Sequence, residues 1–308
     1  MKSDILNPFN SKHLYKLDKE FLFLSELLEK NKYPRVSMIS GEKGIGKSTL
    51  IIHVLSYLLD SNNYDKNNFQ ILDTSRNLSL QEYNLIYIQN SNANLFNIDN
   101  CRELKKRLEK SNINNKPRII LIDDAELMNL NTVNALLKIT EEPLTYNYFI
   151  FINNSSKEIF STLKSRCIEF NIRLKKKDKN TVTQKLIDQF KIETILNHQN
   201  SNLSPGNYLN YNYLCKAHKI EIASKSLIKN INTLTNAYKK EKNIQIIGLI
   251  KYLSEINFYN KDITKENYPQ KVIEKYISIL RDLTELSNYN LNQKIILNKI
   301  SGKINDQI

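Results

Sequence analysis

Residues Gly41–Thr49 read GEKGIGKST and fit the pattern G-x-x-x-x-G-K-[ST], which decides the expected fold. In this pattern glycines let backbone N–H groups turn toward phosphates, the lysine reaches the outer phosphates and the hydroxyl binds Mg²⁺. The preceding VSMIS has the composition of a short buried strand, and the following STLIIHVLSYLL has apolar residues at helical spacing. This order of strand, loop and helix is the context that a phosphate-binding loop requires.

Strands and helices alternate through residues 1–172. Strands are predicted at NLIYIQN, PRIILIDD, NYFIFIN and CIEFNI, with helices at IDNCRELKKRLEK and NTVNALLKIT. The unbroken apolar run of PRIILIDD is typical of a parallel strand buried on both faces. The alternation predicts an α/β fold with a doubly wound parallel sheet, which binds ligands at the carboxyl ends of its strands. The Asn-rich residues 61–80 are predicted to form an irregular surface excursion.

From residue 173 onward the sequence has helical periodicity without a convincing strand. RLKKKDKN is predicted to be a charged link, and SNLSPGNYL marks a turn followed by a helix start. We predict a nucleotide-binding domain at 1–172, a helical lid at 173–213 and a C-terminal helical domain at 214–308. The last domain has one apolar helix face at regular helical spacing, formed by Val272, Ile273, Tyr276, Ile279, Leu280 and Leu283. Such a face normally packs in a core, and it can also meet other helical bundles.

Composition limits the classes of protein that this chain can be. An apolar content of 41% is enough for buried cores. No apolar stretch approaches the roughly 18 residues of a membrane-spanning helix, and the first residues lack the apolar run of a signal peptide. We therefore expect a soluble, cytoplasmic protein with no membrane partner. Three widely separated cysteines, without C-x-x-C spacing, argue against disulfides and a zinc cluster.

The net charge of +13 is distributed unevenly. The excess of basic over acidic residues is +2 in residues 1–172 and +11 from residue 173 onward. Such a distribution is compatible with DNA or an acidic partner, and a solvated basic surface explains it about as well.

The acidic pair in IILIDD supplies a second element of a phosphate site. Asp123 ends a buried strand, where such nucleotide-hydrolysing proteins hold a carboxylate that organises Mg²⁺. ATP and Mg²⁺ are therefore expected, with Ser48 and Asp123 at the metal. Hydrolysis also needs a group that orients and deprotonates water, and Asp124 occupies the position where a glutamate is common. Its shorter side chain would withdraw the carboxylate by about 1 Å, enough to cost about 10²-fold in rate. The alternative, that Asp124 still serves as a base or only orients its loop, stays open.

Two further stretches carry a family resemblance. NALLKITEEP, followed by NYFIFINN and LKSRC, resembles the clamp-loader branch of the AAA+ ATPases, and these motifs follow the phosphate loop and Asp123 in the family order. The resemblance covers residues 1–172 and implies a P-loop, RecA-like AAA+ domain. The helical remainder would then comprise the lid and a C-terminal collar domain through which subunits assemble.

The resemblance also implies partners. In clamp loaders of this kind, five AAA+ subunits form an open ring that uses ATP to open a sliding clamp and place it on primer-template DNA. The expected partners are therefore other clamp-loader subunits (tau/gamma and delta) in a hetero-pentamer, the sliding clamp and primer-template DNA.

The resemblance assigns roles to single residues. Asn153, or Asn154 beside it, would be the sensor at a strand end, and Arg166 in the S-R-C triplet would reach the ATP site of a neighbouring subunit. The alternative for Arg166 is a structural ion pair with a carboxylate such as Glu169. The full expected set is catalytic residues Arg166 and Asp124 with nucleotide-binding residues Gly41, Gly44, Gly46, Lys47, Ser48, Thr49, Asp123 and Asn153.

The sequence differs from the ATP-hydrolysing clamp-loader subunits at two places. At both it resembles the delta-prime type of the bacterial DNA polymerase III clamp loader. Asp124 replaces the usual glutamate, and LSPGNYL at 203–209 has no basic residue where a lid arginine is expected. The four-cysteine zinc module common in this family is also missing, so zinc is not expected. The resemblance implies a subunit that binds ATP, hydrolyses it poorly and gives Arg166 to a neighbour. A tau/gamma-type hydrolysing subunit and, more distantly, a stand-alone P-loop kinase of small molecules remain alternatives.

Overall fold

The fold is given by a computed structural model. It describes residues 5–76, 85–90, 95–109, 117–141, 146–199, 201–220, 227–241 and 243–260, together with 274, 277, 278, 281, 282, 299 and 302.

Five parallel strands form the main sheet in the order β4-β5-β6-β1-β7. The strands of this sheet are Val36–Ser40 (β1), Leu85–Gln89 (β4), Arg118–Asp123 (β5), Asn147–Asn153 (β6) and Ile168–Asn171 (β7). Two short strands, Tyr64–Asp65 (β2) and Gln70–Ile71 (β3), pair separately. The predicted doubly wound α/β sheet is confirmed.

The helices flank and follow this sheet. They are Asp18–Glu29 (α1), Lys47–Leu59 (α2), Ile98–Leu108 (α3), Leu130–Thr140 (α4), Ser161–Lys164 (α5), Lys176–Phe190 (α6), Pro205–Ala217 (α7), Leu227–Glu241 (α8) and Ile244–Asn260 (α9). RLKKKDKN was predicted to be a link, but its residues from Lys176 onward begin α6.

The two faces of the sheet bury separate hydrophobic clusters. Because successive side chains of a strand point to opposite faces, Ile119 and Leu121 of β5 pack in the cluster that includes α1 and α2. Ile120 and Ile122 pack in the cluster that includes α3 and α4. Helices therefore cover both faces, and the loops at the carboxyl ends of the strands are left to form a site.

Residues 61–71 contain a short antiparallel hairpin of β2 and β3, which corrects the prediction of an irregular surface excursion. Tyr64 is 7% exposed and Ile71 is fully buried. The Tyr64 ring stacks on Phe21 of α1 at 5.2 Å between centroids, and its hydroxyl lies 3.1 Å from Nδ1 of His53 in α2. These contacts with α1 and α2 order the segment. Residues 77–80 of the predicted excursion lie outside the described residues.

The chain divides into two compact units. The first contains residues 1–192 and 198–207, and the second contains residues 193–197 and 208–308. In the second unit the Tyr208 hydroxyl donates to the Leu196 carbonyl at 2.8 Å, and Asn212 Oδ1 accepts from Ile195 N at 2.7 Å. The predicted three-domain division remains a prediction, and its boundary at residue 213 falls within α7. The predicted apolar face at 272–283 lies outside the described residues.

Candidate functional site: a phosphate loop and an acidic cluster

The phosphate loop, residues 41–48, joins the carboxyl end of β1 to the first turn of α2. Gly44 and Gly46 have φ of +84° and +96°, a left-handed conformation in which a side chain would be strained. Among the described residues, the N–H groups of 43–46 donate to no protein acceptor. The loop therefore presents backbone donors beside a helix N-terminus, an arrangement suited to binding phosphate. Thr49 lies half-buried in the first turn of that helix.

Lys47 is folded back onto the loop. Its side chain is buried, and Nζ donates to the carbonyls of Gly41 and Glu42, both at 2.7 Å. Burial lowers the pKa of Lys47 to about 8, against the opposing attraction of nearby carboxylates, led by Asp123. The Lys47 ammonium group is therefore held by two backbone carbonyls of the loop, which the oxygens of an anionic ligand could replace.

Asp123, at the end of β5, is surrounded by four hydrogen-bond donors. Its Oδ1 accepts from the Asp124 N–H at 2.8 Å and from Asn154 Nδ2 at 3.1 Å. Its Oδ2 accepts from Ser48 Oγ at 2.6 Å and from the Tyr87 hydroxyl at 3.2 Å. The two residues expected at the metal, Ser48 and Asp123, are thus in direct contact.

Asp124 is held by its own set of donors. The residue is 5% exposed and has a left-handed backbone with φ of +51°. Oδ1 accepts from Lys43 Nζ at 2.7 Å and from Asn154 Nδ2 at 2.8 Å. Burial raises the pKa of Asp124, and the pairing with Lys43 opposes that rise. The carboxylate that sequence analysis considered as a base is therefore already engaged by a cation and an amide.

The two asparagines at the end of β6 point to different partners. Asn153 Nδ2 donates to Ser40 Oγ at 3.2 Å, whereas Asn154 Nδ2 contacts both Asp123 and Asp124. The Asn154 N–H donates to the buried Glu126 carboxylate at 3.1 Å, which fixes the loop after the strand. Asn154 is therefore the asparagine that contacts the acidic cluster, which comprises Asp123, Asp124 and Glu126.

Ser204 and Gly206, at the start of α7, contact the phosphate loop. Ser204 Oγ donates to the Lys43 carbonyl at 2.5 Å, and the Gly206 N–H donates to the Gly44 carbonyl at 2.8 Å. A Cβ atom built on Gly44 would lie 2.9 Å from the Asn207 backbone nitrogen, too close for any side chain. The segment that was predicted to lack a lid arginine therefore contacts the loop through backbone and hydroxyl groups.

A buried lysine approaches the loop from α6. Lys179 is 7% exposed, forms an ion pair with Glu42 and donates to the Asn202 carbonyl at 3.3 Å. A buried lysine needs such partners, because an unpaired ammonium group is costly away from water.

Arg166 lies apart from this cluster. Its side chain is 43% exposed. The guanidinium donates from Nη2 to Glu141 Oε1 and from Nη1 to the Thr162 carbonyl, both at 3.2 Å. Glu169, suggested by sequence as its partner, instead lies 3.5 Å from Lys164 Nζ and accepts from Ser40 Oγ. The exposed pair with Glu141 leaves the Arg166 guanidinium on the surface of the unit.

The chain is similar to known proteins of one family. A family described as DNA polymerase III, delta subunit, matches residues 17–176, which is more than half of the chain. The chain belongs to this family. It is a delta-prime-like member of the clamp-loader group.

Relatives of two kinds match the chain. The delta' subunit of DNA polymerase III from Buchnera aphidicola subsp. Schizaphis graminum is 28% identical over 162 residues, which are 51% of this chain and 48% of the relative. The gamma/tau subunit from Mycoplasma genitalium is 25% identical over 61% of this chain and 31% of its own length. The chain thus spans about half the length of the delta' relative.

A gamma subunit-related protein of DNA polymerase III from Thermotoga maritima is structurally similar. It has a TM-score of 0.47 and 16% identity, with 92% of this chain and 97% of that protein covered.

The described residues lack two features that would point to other classes of site. They contain no helix long and apolar enough to cross a membrane. They also contain no group of three or more His, Cys, Asp or Glu side chains placed to hold a metal ion.

Proposed function

We propose that this chain is a delta-prime-like subunit of a replicative clamp loader, which helps to load a sliding clamp onto primed DNA in the cytoplasm. It would assemble with tau/gamma and delta subunits in a hetero-pentamer. The observation that carries the proposal is an intact phosphate loop joined to Asp123 through Ser48, in a member of the DNA polymerase III delta family.

The residues of the site fit ATP and Mg²⁺. The loop offers backbone donors and the Lys47 ammonium to phosphates, and Ser48 with Asp123 offers oxygen atoms to a hard cation. Mg²⁺ commonly takes only one or two protein oxygens and completes its shell with phosphate oxygens and water. When bound, this ion would neutralise charge on the phosphates. Lys47 would exchange its two backbone acceptors for phosphate oxygens.

Hydrolysis by this chain itself is proposed to be slow. Asp124 is shorter than glutamate, and its carboxylate is paired with Lys43 and Asn154 rather than available to a water molecule. A general base must be able to accept the proton of the attacking water, and Oδ1 of Asp124 already accepts from both of these donors. Residues 203–209, where a lid arginine was expected, also contain no basic side chain that could stabilise developing charge.

The catalytic contribution of the chain is proposed to be Arg166, given to a neighbouring subunit. Strand β7 runs parallel to β1, with Ile168 level with Ser37 and Asn171 level with Ser40. Arg166 precedes β7 and so lies at the amino edge of the sheet, at least about 10 Å along the strands from the edge that carries the loop. An exposed guanidinium at that edge is suited to a site on another molecule, where its planar fork matches phosphate oxygens.

Equilibrium titration of the isolated chain with ATP tests the nucleotide part of the proposal. Binding is expected in Mg²⁺, and Lys47→Ala should weaken it at least tenfold, because the loop loses its cation. Lys30→Ala, which removes a fully exposed lysine, is the matched control and should bind as the wild type does. Absence of binding by the wild-type chain would remove the nucleotide-binding proposal.

Turnover by the same protein separates the two clamp-loader alternatives. Hydrolysis near background is expected for a delta-prime-like subunit. Robust hydrolysis by the isolated wild-type chain would instead support a tau/gamma-type subunit with a competent Asp124.

A further inference from the structure

We propose that Tyr87 is a positioning residue for the Mg²⁺ site, through which Asp123 is held in the orientation that the metal requires. The inference rests on the proposed ATP and Mg²⁺ site and adds a residue that the phosphate-loop pattern does not contain.

The position of Tyr87 follows from the strand register. On β4, Tyr87 pairs with Leu121 and Gln89 pairs with Asp123. The Tyr87 backbone is therefore two residues, about 6–7 Å, short of Asp123 along the strands. A tyrosine is long enough to span that gap, and its hydroxyl contacts Asp123 Oδ2 at 3.2 Å.

The contact completes the set of donors around one carboxylate. Oδ2 is shared by the Tyr87 hydroxyl and Ser48 Oγ, and Oδ1 is shared by the Asp124 N–H and Asn154 Nδ2. With donors on both oxygens, the carboxylate cannot rotate without breaking hydrogen bonds. Donors of this kind fix the orientation of metal-binding carboxylates, and their loss typically costs 10- to 100-fold in metal affinity.

The hydroxyl is protonated and the ring is separately anchored. A tyrosine hydroxyl ordinarily ionises only at about pH 10, so the Tyr87 hydroxyl is a donor at physiological pH. The ring makes an edge contact with Phe9, with 5.3 Å between centroids and 75° between planes. Tyr87→Phe therefore removes the hydrogen bond and leaves the ring packing in place.

The test measures ATP affinity of the full chain as a function of free Mg²⁺, and again in EDTA. For Tyr87→Phe, the Mg²⁺ concentration giving half-maximal enhancement of ATP binding should rise about tenfold, while ATP affinity in EDTA stays within about twofold of wild type. Tyr33→Phe is the matched control, because it removes a buried hydroxyl that lies 2.9 Å from Ser37 Oγ, remote from the phosphate loop. It should leave the Mg²⁺ dependence unchanged.

Thermal unfolding without nucleotide checks that both variants fold. An unchanged Mg²⁺ dependence in a folded Tyr87→Phe chain overturns the inference and leaves the proposed nucleotide site intact. Equal losses of affinity in Mg²⁺ and in EDTA also overturn it, because they assign the hydroxyl a purely structural role. A wild-type chain that binds no ATP, or binds it equally in Mg²⁺ and EDTA, refutes the proposed metal site and the role of Tyr87 together.

Discussion

Replacing Lys43 by methionine should destabilise the chain through Asp124. The substitution removes the ammonium that lies 2.7 Å from a carboxylate whose side chain is 7% exposed, and leaves Asn154 as the side-chain donor to Asp124. Hydrogen bonds to charged groups contribute about 1.5–3 kcal/mol, and water screens part of this one because the Lys43 side chain is 38% exposed. We therefore expect the free energy of unfolding to fall by about 1–2 kcal/mol at pH 7.

Urea denaturation of a double-mutant cycle measures this coupling directly. Asp124→Asn should cost less in the Lys43→Met background than in the wild type, with a coupling of about 1 kcal/mol. Lys30→Met, which breaks a fully exposed ion pair with Glu26, is the control and should have no measurable effect. Additivity of the two substitutions within about 0.3 kcal/mol would refute the argument that Lys43 engages Asp124.

Two further substitutions test other parts of the fold. His53 is buried, and this burial lowers its pKa to about 3, so the unfolded chain takes up a proton first as pH falls below about 6.5. Stability is then lost from pH 6.5 downward, by about 2 kcal/mol at pH 5, and His53→Gln should show that much less change in unfolding free energy between pH 7 and pH 5 in urea titrations. Gly44→Ala places a Cβ atom 2.8 Å from Ser204 Oγ, at a backbone φ of +84°. It should lower the free energy of unfolding by about 1–3 kcal/mol and weaken ATP binding. Gly302→Ala, where a Cβ would meet nothing within 4 Å, should do neither.

The main sheet was predictable because its strands are buried on both faces and therefore unusually apolar. VSMIS and NYFIFIN coincide with β1 and β6 residue for residue. The hairpin of β2 and β3 gave no such signal, since two-residue strands are too short for periodicity. Its order comes from a ring contact between Tyr64 and Phe21, which are far apart in sequence.

The site was predictable to the extent that its residues belong to local motifs. The contact between Ser48 and Asp123 follows from the loop and the strand end, because both lie at the carboxyl edge of the sheet. Tyr87 comes from β4, and Lys43 stands at a position of the loop that the pattern leaves unspecified. Both side chains reach the two aspartates by their length. Lys179 was hidden for a different reason, since it lies in a charged stretch where a solvated lysine is the ordinary expectation.

Steady-state ATP hydrolysis by a reconstituted complex is the most direct test of the proposed role in clamp loading. The complex would contain tau/gamma and delta subunits with wild-type, Arg166→Ala or Arg166→Lys chain, and would be assayed with sliding clamp and primed DNA. An arginine that reaches into the ATP site of a neighbouring subunit raises the hydrolysis rate at that site by about 10³–10⁵-fold. Arg166→Ala should therefore abolish turnover at that one site, and Arg166→Lys should restore little of it.

Lys164→Ala, a neighbouring exposed substitution, should leave the rate unchanged. Assembly and ATP binding by this chain should also be unaffected by the Arg166 substitutions. Equal rates for wild-type and Arg166→Ala complexes of intact composition would contradict the trans-acting role and leave Arg166 as the surface partner of Glu141.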